Sequence, residues 1–288
     1  MEENEDMKRK LYGAIAAIGI LTCMCITPVY AKENMIPDYE IKFLIDSDQV
    51  LNKNYELKSK YRDEFQTGKK YNKVGVEYIE TPNFDFSSMG WTNRIRIKED
   101  ANNFELTYKK RYAIENGDID AALTKANQEG FDISDTNYAA QVDWGYNKMT
   151  LSLGNNKTVS NKGYESLELP GKKDAIKILK DHMPGKELNW NIKNWGDTCI
   201  SDGKKCGPVY YLKYKGEIDG ISVDIEVWPV ENQSSEITEY ITELSFKEDT
   251  YDEAVINRKI VQDVLEKDSI LIHEDSLKTQ KILNAYLQ

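Results

Sequence analysis

Histidine is nearly absent from this sequence, with only His182 and His273 among 288 residues. This scarcity excludes a zinc site built from several imidazoles, because such a site needs three or four ligands around one ion. The phosphate-binding loop G-x-x-x-x-G-K-[ST], the zincin motif H-E-x-x-H and the serine-hydrolase motif G-x-S-x-G do not occur either. The chain is therefore not predicted to use the chemistry of those three enzyme classes.

An excess of positive charge is also missing. The sequence has 38 Lys and Arg against 49 Asp and Glu, a net charge of −11. A general nucleic-acid binder usually presents a net basic surface, so no nucleic-acid partner is predicted. A local basic site is still compatible with this balance. Aromatic residues make up 10% of the chain, which is enough to build the core of a folded domain.

The N-terminal residues 1–31 have the three-part pattern of a secretory signal peptide. Three basic residues at 8–10 precede an apolar run at 11–29, and small residues end the segment at Val29 and Ala31. An uncleaved membrane anchor is the alternative, because the run is nearly long enough to span a bilayer. We expect a secreted or cell-surface protein with no stable membrane insertion after cleavage.

Cysteine is scarce once that segment is set aside, since only Cys199 and Cys206 follow it. In an oxidising compartment these two cysteines are predicted to form a short loop-closing disulfide. Their spacing does not match the C-x-x-C pattern of redox or metal-binding pairs.

Strands with one charged face and one apolar face are the strongest positive signal. Alternating side chains point to opposite faces of a strand. Six segments show this alternation, at 38–44, 94–98, 106–111, 211–215, 223–227 and 240–246. Acidic residues dominate the first and the last two segments, whereas basic residues dominate the middle three.

This sorting of charge favours a closed sheet. Like charges packed together cost energy unless a bound cation and a bound anion offset them. The pattern therefore predicts a closed antiparallel sheet with a charged lumen and an apolar outside covered by helices. An antiparallel sheet with one solvated face is the alternative.

Helical periodicity supplies the elements that would cover the sheet. It predicts helices at 47–65, 118–129, 172–182, 252–267 and 275–287, while 141–153 reads as one more strand or a hairpin arm. Without repeats or a clear linker, residues 32–250 are predicted to be one domain. Residues 251–288 would form a helical tail packed on that domain.

Several short motifs, in order along the chain, resemble those of the CYTH superfamily, the triphosphate tunnel metalloenzymes. The segment 38–42, Asp-Tyr-Glu-Ile-Lys, resembles the E-x-E-x-K first strand of that family. Similar matches follow at 78–82 (Y-x-D-T-P), 94–96 (L-R-x-R), 106–109 (L-T-x-K), 213–215 (K-x-R) and 243–246 (E-x-E-F). The resemblance implies an α+β fold, an eight-stranded antiparallel closed β-barrel with helices packed on the outside. It also implies binding of triphosphate or polyphosphate with Mg²⁺ or Mn²⁺.

The same resemblance implies roles for individual side chains. Phosphate oxygens would be held by the basic residues Lys42, Arg94, Arg96, Lys109, Arg111, Lys213 and Lys215. The metal would be held by Asp38, Glu40 and Glu243, with Asp224 and Glu226 as further candidates. Glu40 and Lys42 would be the catalytic pair.

Three positions depart from the family pattern. Asp38 stands for the first Glu and keeps a hard oxygen ligand, while Ser245 stands for the last Glu and removes a charge from the metal site. Lys215 stands for Arg and loses the bidentate fork.

The functional hypotheses follow from these matches and departures. The first is an exported, metal-dependent phosphohydrolase acting on inorganic triphosphate, polyphosphate or nucleoside triphosphates. Adenylate cyclase is a second enzymatic hypothesis. A protein of another class, a non-catalytic polyanion-binding tunnel, is the alternative that Ser245 suggests. A surface interaction domain without a small ligand is the weakest hypothesis.

Overall fold

The computed structural model describes residues 32–232 and 237–288, so the predicted signal peptide at 1–31 lies outside the described residues. The strands are β1 (Asp38–Ile45), β2 (Asn72–Glu80), β3 (Trp91–Lys98), β4 (Asn103–Ile114), β5 (Ala139–Trp144), β6 (Met149–Ser160), β7 (Lys204–Ile218), β8 (Ile221–Asn232), β9 (Ile237–Glu248) and β10 (Leu271–Ile272). The helices are α1 (Ser47–Val50), α2 (Ser59–Glu64), α3 (Asp85–Ser88), α4 (Ile119–Gln128), α5 (Lys172–His182), α6 (Gly185–Leu188), α7 (Trp195–Ser201), α8 (Tyr251–Lys267) and α9 (Lys278–Leu287).

Nine strands form a closed barrel in the order β1-β5-β6-β4-β3-β2-β7-β8-β9, and β9 pairs back onto β1. The short β10 adds to one end of β1. The pairing of β1 with β5 is parallel, whereas the other pairs around the barrel are antiparallel.

The predicted eight-stranded antiparallel barrel is therefore wrong in detail, and the structure has a mixed barrel of nine strands. Segment 141–153 is a hairpin whose two arms, β5 and β6, both enter the barrel. An odd number of strands cannot alternate in direction all the way round a closed ring. At least one neighbouring pair must then be parallel.

Apolar side chains on the outer face of the strands form the main core beneath the helices. Ile41 and Phe43 of β1, Ile95 of β3 and Leu244 of β9 are fully buried in it. Ala254 and Leu265 of α8 pack into the same core. The charged face of each strand consequently points into the barrel, as the alternation predicts.

Helix α5 has the predicted bounds, and α4 and α8 differ from prediction by one residue at their ends. The predicted helix at 47–65 is instead two short helices, α1 and α2. Between them, the Asn52 side chain accepts hydrogen bonds from the backbone N–H groups of Asn54 and Glu56, and Tyr55 adopts a φ of 58°. This turn interrupts the helix because an asparagine side chain competes for backbone donors. No helix in the described ranges is both long and apolar enough to cross a bilayer.

Helix α9 departs from the expectation that the helices pack outside. Its Ile282 and Leu283 are buried in a second, inner cluster formed by tunnel-facing side chains at one end of the barrel. That cluster includes Tyr78, Tyr211 and Trp228. The C-terminal helix therefore fills one end of the tunnel.

The predicted disulfide is not formed, because Cys199 and Cys206 are both free and buried. Cys199 belongs to the outer core, while Cys206 belongs to the inner cluster on the other face of the sheet. The barrel wall separates the two thiols. Burial raises the pKa of Cys199 to about 11 and that of Cys206 to about 12, so both stay protonated at neutral pH.

Candidate functional site

A cavity of about 620 Å³ lies inside the barrel and is lined by the charged faces of its strands. Nine basic side chains project into it, namely Lys42, Arg94, Arg96, Lys98, Lys109, Arg111, Lys213, Lys247 and Lys278. Five acidic side chains join them, namely Glu40, Glu105, Asp224, Glu226 and Glu243. Lys157 also borders the cavity, but its amine donates to the carbonyl of His182 in α5. A smaller cavity of about 410 Å³ shares Lys42, Arg111, Glu243 and Lys278 with the first.

Lys42 and Asp143 form a close ion pair in the tunnel wall. The Lys42 amine lies 2.6 Å from Asp143 Oδ1 and 2.9 Å from Glu40 Oε2. Asp143 also accepts hydrogen bonds from Gln141 and Ser152. Burial alone would lower the pKa of Lys42, but Asp143 and Glu40 outweigh it and raise that pKa. The two predicted catalytic residues, Glu40 and Lys42, thus form an ion pair with each other, and Lys42 also pairs with Asp143.

Asp143 is a functional candidate that sequence reasoning missed. Burial would raise the pKa of its carboxyl, but Lys42, Lys109 and Arg111 together hold that pKa well below its ordinary value. Its position was readable in principle, since Gln141 and Asp143 alternate with outward-facing Val142 along β5. Over 141–153 the sequence predicts one more strand or a hairpin arm without assigned faces, so Asp143 is not among the predicted site residues.

Two arginines of the wall have no carboxylate partner within ion-pairing distance in the part of the chain that the structure describes. The Arg94 guanidinium donates to Thr107 Oγ1 at 3.0 Å, and its buried Nε has no hydrogen-bond partner. The Arg111 guanidinium donates to Thr92 Oγ1 at 2.7 Å. Arg96, by contrast, is paired with Glu105. Arg94 and Arg111 therefore hold positive charge that the protein does not neutralise by direct pairing.

Lys109 adds a titratable cation next to these arginines. Burial lowers the pKa of its amine to about 8, and Arg111 and Lys42 contribute in the same direction, whereas Asp143 and Glu40 oppose the change. The amine lies 3.8 Å from Asp143 Oδ2. This lysine therefore changes charge close to neutral pH.

The acidic side of the tunnel is neutralised by lysines. Lys278, the first residue of α9, lies 2.8 Å from Glu226 Oε2 and 2.7 Å from Glu243 Oε1. Lys213 lies 2.8 Å from Asp224 Oδ2 and 3.4 Å from Glu226 Oε1. Burial would raise the pKa of Glu226, but Lys278 and Lys213 lower it to about 2. Lys278 was not among the predicted site residues, because no motif pointed to the C-terminal helix.

The predicted metal ligands, as they are arranged, do not fit a divalent cation. Carboxylates at four of the predicted positions, Glu40, Asp224, Glu226 and Glu243, are each within ion-pairing distance of a lysine amine. Within residues 32–232 and 237–288 no three carboxylate, imidazole or thiol groups come together as a metal centre. A metal ligand set needs oxygen lone pairs directed at one point, and here an ammonium group binds at least one oxygen of each of these four carboxylates.

Of the three remaining positions that the sequence analysis singled out, only Ser245 lines the cavity. Asp38 does not line the cavity, its Oδ1 is buried without a partner, and burial raises the pKa of its carboxyl. Lys215 is exposed and does not line the cavity. Ser245 does line it, opposite Lys42 and Asp224 in the strand register.

Known structures share this architecture. A putative adenylyl cyclase from Hippeastrum, described as having a dominant triphosphatase activity, has a TM-score of 0.50 and 11% identity, covering 86% of this chain and 96% of that one. A putative adenylate cyclase from Bacillus halodurans has a TM-score of 0.48 and 15% identity, with 87% and 98% covered. A protein from Pyrococcus horikoshii has a TM-score of 0.40 and 12% identity, with 85% and 98% covered. No protein-family model and no curated protein sequence matches the chain.

The barrel is therefore a CYTH-type fold, and the resemblance drawn from the sequence motifs is confirmed at this level. At 11% identity the likeness to the Hippeastrum protein establishes the fold alone. What the tunnel binds is decided by the side chains in its wall.

We predict that Asp143→Asn destabilises the protein by about 3–5 kcal/mol, because it removes one partner of a buried ion pair. Urea unfolding of wild type and variant measures the difference. The pKa of Asp143 is lowered in the folded state, so its contribution is complete above the unfolded pKa of about 4. That contribution disappears as the pH falls through the folded pKa.

Asp263→Asn is the matched control, because Asp263 forms an exposed i,i+4 pair with Lys259 in α8. This change should cost about 0.5 kcal/mol or less. Equal, small effects of the two substitutions would contradict the importance assigned to Asp143.

Proposed function

We propose that this protein binds the phosphate chain of a triphosphate-class anion in the tunnel. Inorganic triphosphate, longer polyphosphate and nucleoside triphosphates all present that chemistry. The observation that carries the proposal is the pair of guanidiniums of Arg94 and Arg111, which face the cavity and have no carboxylate partner among the residues that the structure describes. A guanidinium presents a planar fork of donors that matches phosphate oxygens.

The charge balance of the wall supports the same ligand class. Ten basic and five acidic side chains line the larger cavity, although the whole chain has a net charge of −11. The smaller cavity adds the acids Asp143 and Asp275 and the base Lys148. Surplus positive charge inside walls of low dielectric concentrates anions there. A cavity of about 620 Å³ is in the range that small-molecule sites occupy.

Hydrolysis of the bound anion is a second candidate function. Its support is the fold shared with the Hippeastrum protein, which is described as having a dominant triphosphatase activity. Phosphoryl transfer depends mainly on positioning and charge neutralisation, and Arg94, Lys109 and Arg111 can supply both. A requirement for Mg²⁺ or Mn²⁺ is part of this second candidate function. Because lysines pair with the acidic wall, we assign no catalytic step to the metal. Export through residues 1–31 is likewise part of the proposal.

The two candidates are separated by measuring phosphate release from inorganic triphosphate with Mg²⁺, with Mn²⁺ and with EDTA. Release that requires metal and is lost in Glu40→Ala would establish a hydrolase. Saturable binding without release would limit the function to binding.

The binding proposal predicts that Arg94→Ala weakens inorganic triphosphate binding about tenfold or more, because a charged hydrogen bond contributes about 1.5–3 kcal/mol. Arg111→Ala should act similarly, and isothermal titration calorimetry measures both. Lys259→Ala on the outer helix α8 is the control and should leave the affinity unchanged. Wild-type affinity in both arginine variants would refute the proposed site.

Lys109 predicts a pH dependence of binding. Because its pKa in the free protein is about 8, the amine loses its charge as the pH rises through that value. A bound polyanion favours the charged form, so triphosphate affinity should fall between pH 7 and 9. Lys109→Arg keeps the charge throughout this range. A flatter affinity profile for that variant separates the lysine from the titration of triphosphate itself, and identical profiles would contradict the assignment.

A further inference from the structure

The C-terminal helix α9 is anchored inside the end of the tunnel. Ile282 and Leu283 are buried against tunnel-facing side chains of the barrel. Lys281 pairs with Glu239, and the Tyr286 hydroxyl lies 3.4 Å from the carbonyl of Pro208. These contacts fix the start of the helix, where Lys278 lies, between the larger and the smaller cavity.

The Lys278 amine occupies a position with three favourable neighbours. It donates to Glu226 Oε2 at 2.8 Å and to Glu243 Oε1 at 2.7 Å. It also lies 4.5 Å from the centre of the Trp228 ring, at a distance typical of cation–π contacts. The indole N–H of Trp228 donates to Glu226 Oε2 at 2.9 Å and so holds that carboxylate in place. The lysine side chain is only 16% exposed.

Local preference does not explain a lysine at this position. Positive charge in the first turn of a helix is opposed by the helix dipole, and the Leu277 cap gives no side-chain hydrogen bond. Burial of an ammonium is costly as well, unless carboxylates accept hydrogen bonds from it. Glu226 and Glu243 therefore supply the reason for Lys278, and Lys278 neutralises them in return.

An ammonium in this place and a divalent cation exclude each other. Each carboxylate has an oxygen within 2.8 Å of the Lys278 nitrogen, whereas a metal ion would need those oxygens at about 2.0–2.6 Å from its own centre. The other oxygen of Glu243, Oε2, is buried and has no hydrogen-bond partner within residues 32–232 and 237–288. It is a ligand atom that the lysine leaves unused.

We propose that Lys278 is the resident cation of the acidic wall and takes the place of a divalent metal between Glu226 and Glu243. This inference rests on the proposed function in one respect: triphosphate binding by the wild-type protein is then independent of divalent metal. Removing the amine frees one oxygen of Glu226 and one of Glu243 for a hard divalent cation, while Lys213 stays paired with Asp224.

The test is a titration of the full chain with Mn²⁺, followed by the electron paramagnetic resonance signal of the free ion. Wild type should show no saturable binding at micromolar Mn²⁺. Lys278→Met keeps the length and removes the charge, and it should bind Mn²⁺ about tenfold or more tightly than wild type. Adding Glu243→Gln to that variant should abolish the gain. Lys259→Met on the outer helix α8 is the control and should behave like wild type.

Several outcomes overturn the inference. Micromolar Mn²⁺ binding by wild type does so, whatever the variants show. A folded Lys278→Met, judged by circular dichroism and a cooperative thermal transition, that gains no Mn²⁺ binding also does so. If this variant does not fold, Lys278→Ala decides in the same titration, and the wild-type titration stands by itself.

A second arm compares the affinity for inorganic triphosphate in EDTA and in millimolar Mg²⁺, corrected for the complex that Mg²⁺ forms with free triphosphate. Equal affinities are expected, and binding that requires Mg²⁺ would overturn the inference. The Mn²⁺ titration contains no polyanion, so its result is independent of the proposed function. Absence of triphosphate binding under both conditions would instead refute the proposed function. The Mn²⁺ titration alone would then decide whether Lys278 takes the place of a metal.

Discussion

The alternation of side chains along each strand is the constraint on which this structure depends. One face of every barrel strand is committed to the outer core, where residues such as Ile41, Ile95 and Leu244 are fully buried. The charged side chains on the opposite face of each strand therefore point into the barrel. Once the sheet closes, charges that would be solvated on an open sheet share one enclosed volume, and they must be balanced there or by a ligand.

The charges on the acidic and the basic side of the tunnel are balanced in different ways. Acidic side chains are compensated by the protein itself, through Lys42, Lys213 and Lys278. On the basic side, Arg94 and Arg111 are held by threonine hydroxyls that carry no charge. The electrostatics of the tunnel wall therefore favour an anion over a cation. This asymmetry gives the binding proposal a physical basis that the likeness of fold does not supply.

Helix α9 links the stability of the barrel end to the electrostatics of the site. Its apolar residues close the inner cluster, and the same element delivers the Lys278 amine to Glu226 and Glu243. Displacing the helix would expose apolar surface and remove the Lys278 ammonium from Glu226 and Glu243, and both changes are unfavourable. The end of the chain is thus part of the tunnel wall, whereas α8 is part of the outer cover.

The sequence by itself determined the features that depend on local periodicity. Two-faced strands such as β1 and β3, and helices such as α5, follow from side-chain spacing within one segment. The inward direction of Arg94 and Lys109 follows in the same way, because the apolar neighbours Ile95 and Tyr108 belong to the outer face of their strands. The short motifs also indicated the fold family, since their order along the chain survives low identity.

Only the tertiary structure decided which charges meet. Asp143 reaches Lys42 because β5 runs parallel to β1, and a closed ring of nine strands requires such a pair. Lys278 reaches Glu243 because α9 enters the tunnel, although its amphipathic pattern would equally suit the outside. Cys199 and Cys206 lie close in sequence and on opposite faces of the wall. The order in which strands pair around the ring and the place where a helix packs are properties of long-range packing, and the spacing of side chains within one segment does not encode them.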